Sequence, residues 1–121
     1  MIACIDSDVL IDYFDGIDAA AEELSQYDAL VISRITWMEV LVGAPTEELR
    51  KMREDFLRQL AIVELDERVA LEAIALRQRY RLKLPDAIIW ASARLSKALL
   101  VTRNLKDFPM RDPEVRVPYR V

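Results

Sequence analysis

The stretch MIACIDSDVLIDYFDG, residues 1–16, indicates the fold of this chain. Met1–Ile5 is an apolar run that predicts a short buried strand, and the acidic residue Asp6 follows it directly. Val9–Phe14 then predicts a helix that ends at Gly16. A buried strand followed by a helix is the repeating half of a fold in which helices join parallel strands.

The rest of the sequence continues this alternation. Apolar runs predict further strands at Ala29–Ile32, Ala61–Leu65 and Leu99–Val101, and a short fifth strand at Val115–Val117. The segments between them have apolar residues at helical spacing and predict the helices Ile17–Gln26, Arg34–Val42, Thr46–Leu60, Val69–Tyr80 and Leu84–Ala98. In the last two helices, Ile74 is expected to be buried and Leu84 to belong to the apolar stripe that faces the core. The sequence therefore predicts an α/β fold with four to five parallel strands and helices on both faces of the sheet.

The composition limits the chemistry that this chain can perform. Apolar residues make up 53% of the 121 residues, enough for the core of one domain spanning residues 1–121. The chain has no His and a single Cys, so a Ser-His-Asp triad, a His general base and a zinc site of His or Cys ligands are excluded. Cys4 lies in the first predicted strand and is interpreted as a small buried hydrophobe. Any catalysis must use carboxylates, Lys, Arg, hydroxyls or a hard metal ion.

The sequence also predicts where the protein works. The longest apolar runs have five residues, against about 20 for a membrane span, so no membrane association is expected. The first basic residue is Arg34, and the basic amino-terminal region of a signal peptide is absent. We therefore expect a cytoplasmic protein.

Charge is distributed unevenly along the chain. Residues 1–76 contain 6 basic and 17 acidic residues, whereas residues 77–121 contain 11 basic and 4 acidic ones, which gives the net charge of −4. Four of the basic residues are concentrated in one short segment, at Arg77, Arg79, Arg81 and Lys83. This segment is either a solvated helix face and loop or a surface that guides a phosphate backbone.

Acidic and amide side chains recur just after the predicted strands, on the helix that follows the second strand, and in the first turn of the helix that begins at Leu84. They are Asp6, Asp8, Glu39, Asp86, Asn104 and Asp107. The carboxyl ends of parallel strands lie at one edge of a sheet, so these side chains are expected to converge. Converging carboxylates repel one another unless a cation lies between them, and oxygen ligands favour Mg²⁺ or Mn²⁺. Such an ion can activate water for phosphodiester hydrolysis without His.

Four segments carry a resemblance to a known family. They are IDSDVLIDYFDG (5–16), SRITWMEVLVGAP (33–45), LPDAIIWASA (84–93) and LVTRNLKDF (100–108). In this order they resemble PIN-domain ribonucleases, and more narrowly the VapC toxins of bacterial toxin–antitoxin pairs. The resemblance implies a three-layer α/β/α sandwich and an endoribonuclease dependent on Mg²⁺ or Mn²⁺. It also implies a homodimer, a cognate VapB-like antitoxin, and structured RNA such as tRNA or rRNA as substrate.

The resemblance also implies which residues form the catalytic metal site. Asp6, Glu39 and Asp86 match three metal-ligating acids of the family. The fourth acid falls near residues 104–107, where this chain departs from the pattern because Asn104 occupies the slot and Asp107 follows it. Asp107 is therefore the candidate for the fourth ligand, directly or through a water molecule.

Five further residues are candidates for supporting or substrate-contacting roles, and Asn104 is one of them. Thr36 shares a helix face with Glu39, and Thr102 is expected to orient the site by hydrogen bonding. Asp8 stands where many relatives have Asn, and it either supports the ligands or adds charge to the site. Arg103 is expected to contact a substrate phosphate.

Other interpretations stay open at this point. Taken singly, each acid could be a helix cap or an ordinary residue of a first helical turn. A response-regulator receiver domain has a similar length and strand–helix pattern, and would use Asp66 as phosphoacceptor together with Lys106. A degenerate PIN domain would bind RNA or a partner without cutting, and Asn104 keeps that alternative open.

Overall fold

The computed structural model describes residues 1–104, 106–108 and 112–120. The strands within these residues are β1 (Ile2–Ile5), β2 (Ala29–Ser33), β3 (Ala61–Val63), β4 (Leu99–Val101) and β5 (Val115–Arg116). The helices are α1 (Ser7–Phe14), α2 (Asp18–Leu24), α3 (Arg34–Val42), α4 (Glu47–Leu57), α5 (Glu67–Tyr80) and α6 (Leu84–Leu95). In this described part of the chain, no helix has the length and hydropathy needed to cross a membrane.

All five strands are parallel and lie in the order β3-β2-β1-β4-β5. β1 is central, with Cys4 opposite Val31 of β2 on one side and opposite Leu100 of β4 on the other. A receiver domain instead places its first strand between the second and third. The strand order therefore excludes the receiver alternative, and Asp66 caps α5 by accepting a hydrogen bond from the Val69 N–H at 2.9 Å.

Helices cover both faces of the sheet and create two separate apolar cores. Successive residues of a strand point to opposite faces, so Cys4 packs in the core beneath α5 and α6, whereas Ala3 and Ile5 pack against α1 to α4. Trp90 of α6 is the largest fully buried side chain of the first core. The α/β fold class and the three-layer α/β/α sandwich are thus confirmed, with five strands in the sheet.

Ion pairs attach the short strand β5 to the rest of the fold. Arg116 of β5 donates two hydrogen bonds to the buried carboxylate of Glu23 in α2, at 2.8 and 3.0 Å. Glu114, just before β5, accepts two hydrogen bonds from Arg94 of α6, which also binds Glu72 of α5 at 2.9 Å. These side chains compensate for a strand that is only two residues long.

Several helix limits and two burial expectations differ from the sequence-based prediction. α1 begins at Ser7 rather than Val9 because the Asp6 carboxylate accepts a hydrogen bond from the Ser7 N–H. Ile74 and Leu84 were expected to be buried, and both expectations are wrong, since about half of each side chain is exposed. The inner face of α5 is a narrow stripe with Ala73 at its centre, and Leu84 opens α6 at the edge of the core.

Candidate active site

The carboxyl edge of the sheet brings the predicted acids together. Asp6 follows β1, and Glu39 lies on α3, which begins immediately after β2 with Ser33 as its cap. Asp86 lies in the first turn of α6, and Asp107 lies in the segment that follows β4. Four carboxylates from four separate segments therefore face one edge, as the sequence predicted.

Asp6 is the buried centre of this edge. Its Oδ1 accepts a hydrogen bond from the Ser7 N–H at 2.8 Å, and its Oδ2 accepts one from the Thr102 hydroxyl at 2.7 Å. The backbone N–H of Asp6 donates to the Val101 carbonyl at 2.9 Å. Thr102 is fully buried, and its hydroxyl oxygen accepts in turn from the Asn104 N–H at 3.0 Å. The ends of β1 and β4 are thus joined through the Asp6 side chain, in the orienting role expected of Thr102.

The four carboxylates lie close enough to change one another's ionisation. Burial raises the pKa of Asp86 to about 6, assisted by the negative charges of Asp6, Asp107 and Glu39. Burial also raises the pKa of Glu39, and the charge of Asp6 adds to this effect. The pKa of Asp6 is raised chiefly by burial, against the opposing effect of the Thr102 hydrogen bond. Such a group retains protons near neutral pH unless a cation replaces them.

Asn104 positions Asp107 within this set. The Asn104 amide donates to Asp107 Oδ2 at 2.8 Å, and the Asp107 N–H donates back to Asn104 Oδ1 at 3.2 Å. Of these two residues only Asp107 can carry a charge, and that negative charge raises the pKa of both Asp6 and Asp86. The amide that departs from the family pattern therefore holds the neighbouring acid in place.

Asp8 is the second residue of α1, two positions after Asp6. Its Oδ2 accepts a hydrogen bond from the Arg103 N–H at 3.1 Å. Its Oδ1 is buried and has no hydrogen-bond partner among the described residues. Burial and the charge of Asp6 raise the pKa of Asp8 to about 7. Asp8 therefore adds a fifth carboxyl group at the edge of the site.

The Arg103 side chain is engaged inside the protein. Its guanidinium donates two hydrogen bonds to Asp12, at 2.5 and 3.1 Å, and the Tyr119 hydroxyl donates to the same carboxylate at 2.9 Å. This geometry favours a role in fixing the segment after β4 over the expected contact with a substrate phosphate. Asp12 was not among the predicted site residues. The sequence does contain a clue to Asp12, which lies four residues after Asp8 on the same helix face. Two acids at this spacing repel each other unless a cation neutralises one of them.

Thr36 is placed below the functional edge. It is fully buried on α3, one turn before Glu39. Within the described residues its hydroxyl has no hydrogen-bond partner. Glu39, three residues later on α3, is exposed, so the two side chains differ in burial although their spacing places them on one side of the helix.

The donor set is chemically suited to a hard divalent cation. Every candidate ligand is a carboxylate oxygen, the type that Mg²⁺ and Mn²⁺ prefer. Over residues 1–104, 106–108 and 112–120, no three acidic or thiol side chains form a tight, preformed ligand cluster. Mg²⁺ tolerates such an open site because it retains several waters and binds through one or two carboxylates. The uncompensated Asp8 oxygen and the raised pKa of Asp86 also indicate that a positive charge fits here.

Comparison with known proteins adds to this geometry. Residues 3–109 match the PIN domain family. Ribonuclease VapC10 from Mycobacterium tuberculosis is 31% identical over 125 residues, which cover 97% of this chain and 92% of that relative. A chain in a toxin–antitoxin complex from Klebsiella pneumoniae is 42% identical with a TM-score of 0.91, covering 98% of this chain and 99% of that one. A chain of VapBC2 from Rickettsia felis, bound to a promoter DNA fragment, is 23% identical with a TM-score of 0.78, covering 95% and 96%, and shows the fold alone.

The raised pKa of Asp8 predicts how stability depends on pH in the metal-free protein. A carboxyl whose pKa is about 7 when folded and 3.8 ordinarily makes folding less favourable as pH rises from about 4 to about 7. We expect Asp8→Asn to raise the Tm in EDTA at pH 8, by about 4 °C for each kcal/mol relieved. The gain should disappear near pH 4. Thermal denaturation beside the exposed control Asp15→Asn checks this, and a Tm below wild type at pH 8 would contradict it.

A double-mutant cycle tests the contact between Arg103 and Asp12. We expect Asp12→Asn and Arg103→Gln each to destabilise the fold, and the double variant to lose less than the sum. The coupling free energy should be about 1–3 kcal/mol, because the pair is a partly buried, charged hydrogen bond. Urea denaturation measures it, and Tyr119→Phe reports the neutral contact to the same carboxylate. A coupling near zero would show that the pair does not hold this segment.

Proposed function

Because the chain belongs to the PIN-domain family, we propose that it is a divalent-metal-dependent endoribonuclease of the VapC type, the toxin of a toxin–antitoxin pair. The observation that carries the proposal is the convergence of Asp6, Glu39, Asp86 and Asp107 at one edge of the sheet. The 31% identity to a ribonuclease over nearly the whole chain supports the reaction, and the 42% identity to a chain of a toxin–antitoxin complex supports the antitoxin. Its expected place of action is the cytoplasm.

These four residues would hold the proposed ion, Mg²⁺ or Mn²⁺. When bound, such an ion supplies a water of lowered pKa and positive charge for the phosphate oxygens. The chain itself fixes the ligands. Ser7 and Thr102 hold the two oxygens of Asp6, and Asn104 holds one oxygen of Asp107. Because these oxygens are already oriented, little ordering remains for the moment at which the ion binds.

Two narrower features of the function are also proposed. The substrate is structured RNA, tRNA or rRNA, and the active form is a homodimer. Both rest on the family to which the chain belongs. The antitoxin is proposed to be VapB-like and to place a basic side chain beside the acids, because an unneutralised group of carboxylates attracts a cation from any partner.

Loss of one ligand is expected to abolish cleavage. We predict that wild type, purified free of antitoxin, cuts total tRNA or rRNA into discrete fragments with Mg²⁺ or Mn²⁺ and not with EDTA. Asp86→Asn should remove the fragments while leaving the fold intact, because it takes away a ligand charge and keeps the side-chain shape. Asp6→Ala and Glu39→Ala should have the same effect and should relieve growth arrest. Gel analysis of the RNA and circular dichroism of each variant measure the two properties.

The matched control for this experiment is Asp55→Asn, an exposed acid on α4. It should cut like wild type. Full activity of all three ligand variants would contradict the proposed mechanism. A folded, metal-loaded wild type that cuts nothing would instead identify a degenerate PIN domain that binds without cleaving.

Antitoxin affinity should depend on the same acids. If a basic side chain, such as Arg, lies beside Glu39 and Asp86 in the complex, then Glu39→Gln and Asp86→Asn remove an ion pair that is screened from water. We expect each to weaken binding by about 2 kcal/mol or more, roughly a thirtyfold rise in Kd. Calorimetric titration with the cognate antitoxin measures this. Equal affinity of wild type and both variants would contradict the predicted contact.

A further inference from the structure

The turn between α5 and α6 lies at the same end of the molecule as the acids. Arg94, near the end of α6, binds Glu72 in the first half of α5, whereas Trp90 stacks on Tyr80 at the end of α5 with ring centroids 4.8 Å apart. The two helices are therefore antiparallel. The end of α5 lies beside the first turn of α6, which carries Asp86.

The end of α5 and the turn that leads into α6 carry four exposed cations within seven residues, at Arg77, Arg79, Arg81 and Lys83. In the described part of the chain, none of them makes an ion pair. Lys83 caps α6 and lies about 5 Å from Asp86 along the helix axis, at a rise of about 1.5 Å per residue. The basic turn, residues 77–83, thus remains free of acidic partners although the acids are its neighbours.

Arg81 occupies a backbone conformation that arginine disfavours. Its φ of 56° and ψ of 37° lie in the left-handed region, where glycine or asparagine usually ends a helix. The conformation is fixed, because the Arg81 N–H donates to the Arg77 carbonyl at 2.8 Å and the next residue, Leu82, is buried in the core. Arg81 thus presents an exposed, charged side chain from a fixed and strained backbone position five residues before Asp86.

Arg79 is also held in place. Its guanidinium lies 5.3 Å from the ring centroid of Tyr80, and that ring packs on Trp90 in the core. A cation stacked on a supported ring loses less side-chain freedom on binding than a free one. The helix dipole explains cations at Arg77, Arg79 and Arg81 at the end of α5, but it does not explain Lys83, which stands at the positive end of α6.

We propose that the basic turn, residues 77–83, with Arg81 at its centre, binds the phosphates of the RNA strand next to the bond that the acidic site cleaves. This inference rests on the proposed ribonuclease activity. A carboxylate site and a chain of net charge −4 repel a polyanion, so attraction must come from a local group of cations. The basic turn directly precedes the helix that carries Asp86, its four cations are exposed, and no described carboxylate neutralises them.

The test measures RNA binding apart from cleavage. Fluorescein-labelled total tRNA is titrated with wild type, Arg79→Gln/Arg81→Gly and the control Lys51→Gln/Arg68→Gln, in EDTA and at several salt concentrations. The control removes two exposed cations, on α4 and at the far end of α5. We expect the turn variant to bind about 25-fold more weakly at about 0.1 M salt, since each lost phosphate contact lowers the slope of log K against log salt by about 0.7. The control should lose less than threefold in affinity and keep the wild-type slope.

A second measurement distinguishes the loss of an RNA contact from misfolding of the variant. Arg81→Gly alone should raise the Tm, because glycine adopts the left-handed conformation without strain, while its RNA affinity falls about fivefold for one lost contact. In cleavage assays it should raise KM for tRNA more than it lowers kcat. A side chain retained only for folding would produce the opposite sign in the melting experiment and no change in the salt slope.

The outcomes separate this inference from the function on which it rests. Metal-dependent cleavage by wild type, together with unchanged tRNA affinity and slope in the turn variant, overturns the inference and leaves the ribonuclease intact. Unchanged tRNA binding with weakened antitoxin binding would assign the basic turn to the antitoxin and also overturn it. A wild type that neither cuts nor binds RNA overturns the proposed function itself.

Discussion

Repulsion among carboxylates at the carboxyl edge of the sheet is the constraint on which the rest of this structure depends. Asp6 ends the central strand and is buried there, so its charge cannot be dispersed into water. The fold offsets this cost with hydrogen bonds to both Asp6 oxygens, and the same crowding raises the pKa of the neighbouring Asp86 to about 6. The hydrogen bonds hold the acids in place, and the remaining repulsion between the carboxylates would be relieved by a cation.

The fold was largely predictable because its signals are local. Short apolar runs gave the strands, and helical spacing gave the helices between them, so the parallel sheet and its covering layers followed from the alternation. The limits of α1 were harder to predict because Asp6 serves both as helix cap and as site residue. The burial of Ile74 was predicted wrongly because the buried stripe of α5 consists of Val69, Ala73 and Leu76, and apolar spacing does not show how wide such a stripe is.

The acids of the candidate site could be predicted from the sequence, but the contacts that hold them in place could not. Asp6 and Asp107 follow strands, Asp86 lies in the first turn of α6, and Glu39 lies within the helix that follows β2, all of which is visible in the sequence. The pairing of Arg103 with Asp12 and Tyr119 joins residues separated by 91 and 107 positions, and no local pattern encodes such a contact. Asn104 and Asp107 are only three residues apart, yet the two hydrogen bonds between them depend on the rotamers of both side chains. The strain at Arg81 is equally invisible in the sequence, because it is a property of the backbone.

The pairing of β1 with β4 affects when the nascent chain can assemble the site during translation. Asp6 emerges from the ribosome early, but the hydroxyl that orients it belongs to Thr102, 96 residues later. At about 5–20 residues per second, several seconds of translation separate the two, and β4 must enter the sheet before the site has its final geometry. A nascent chain therefore carries its acids unassembled for most of its synthesis. Folding order itself delays assembly of the acidic site until most of the chain has been made.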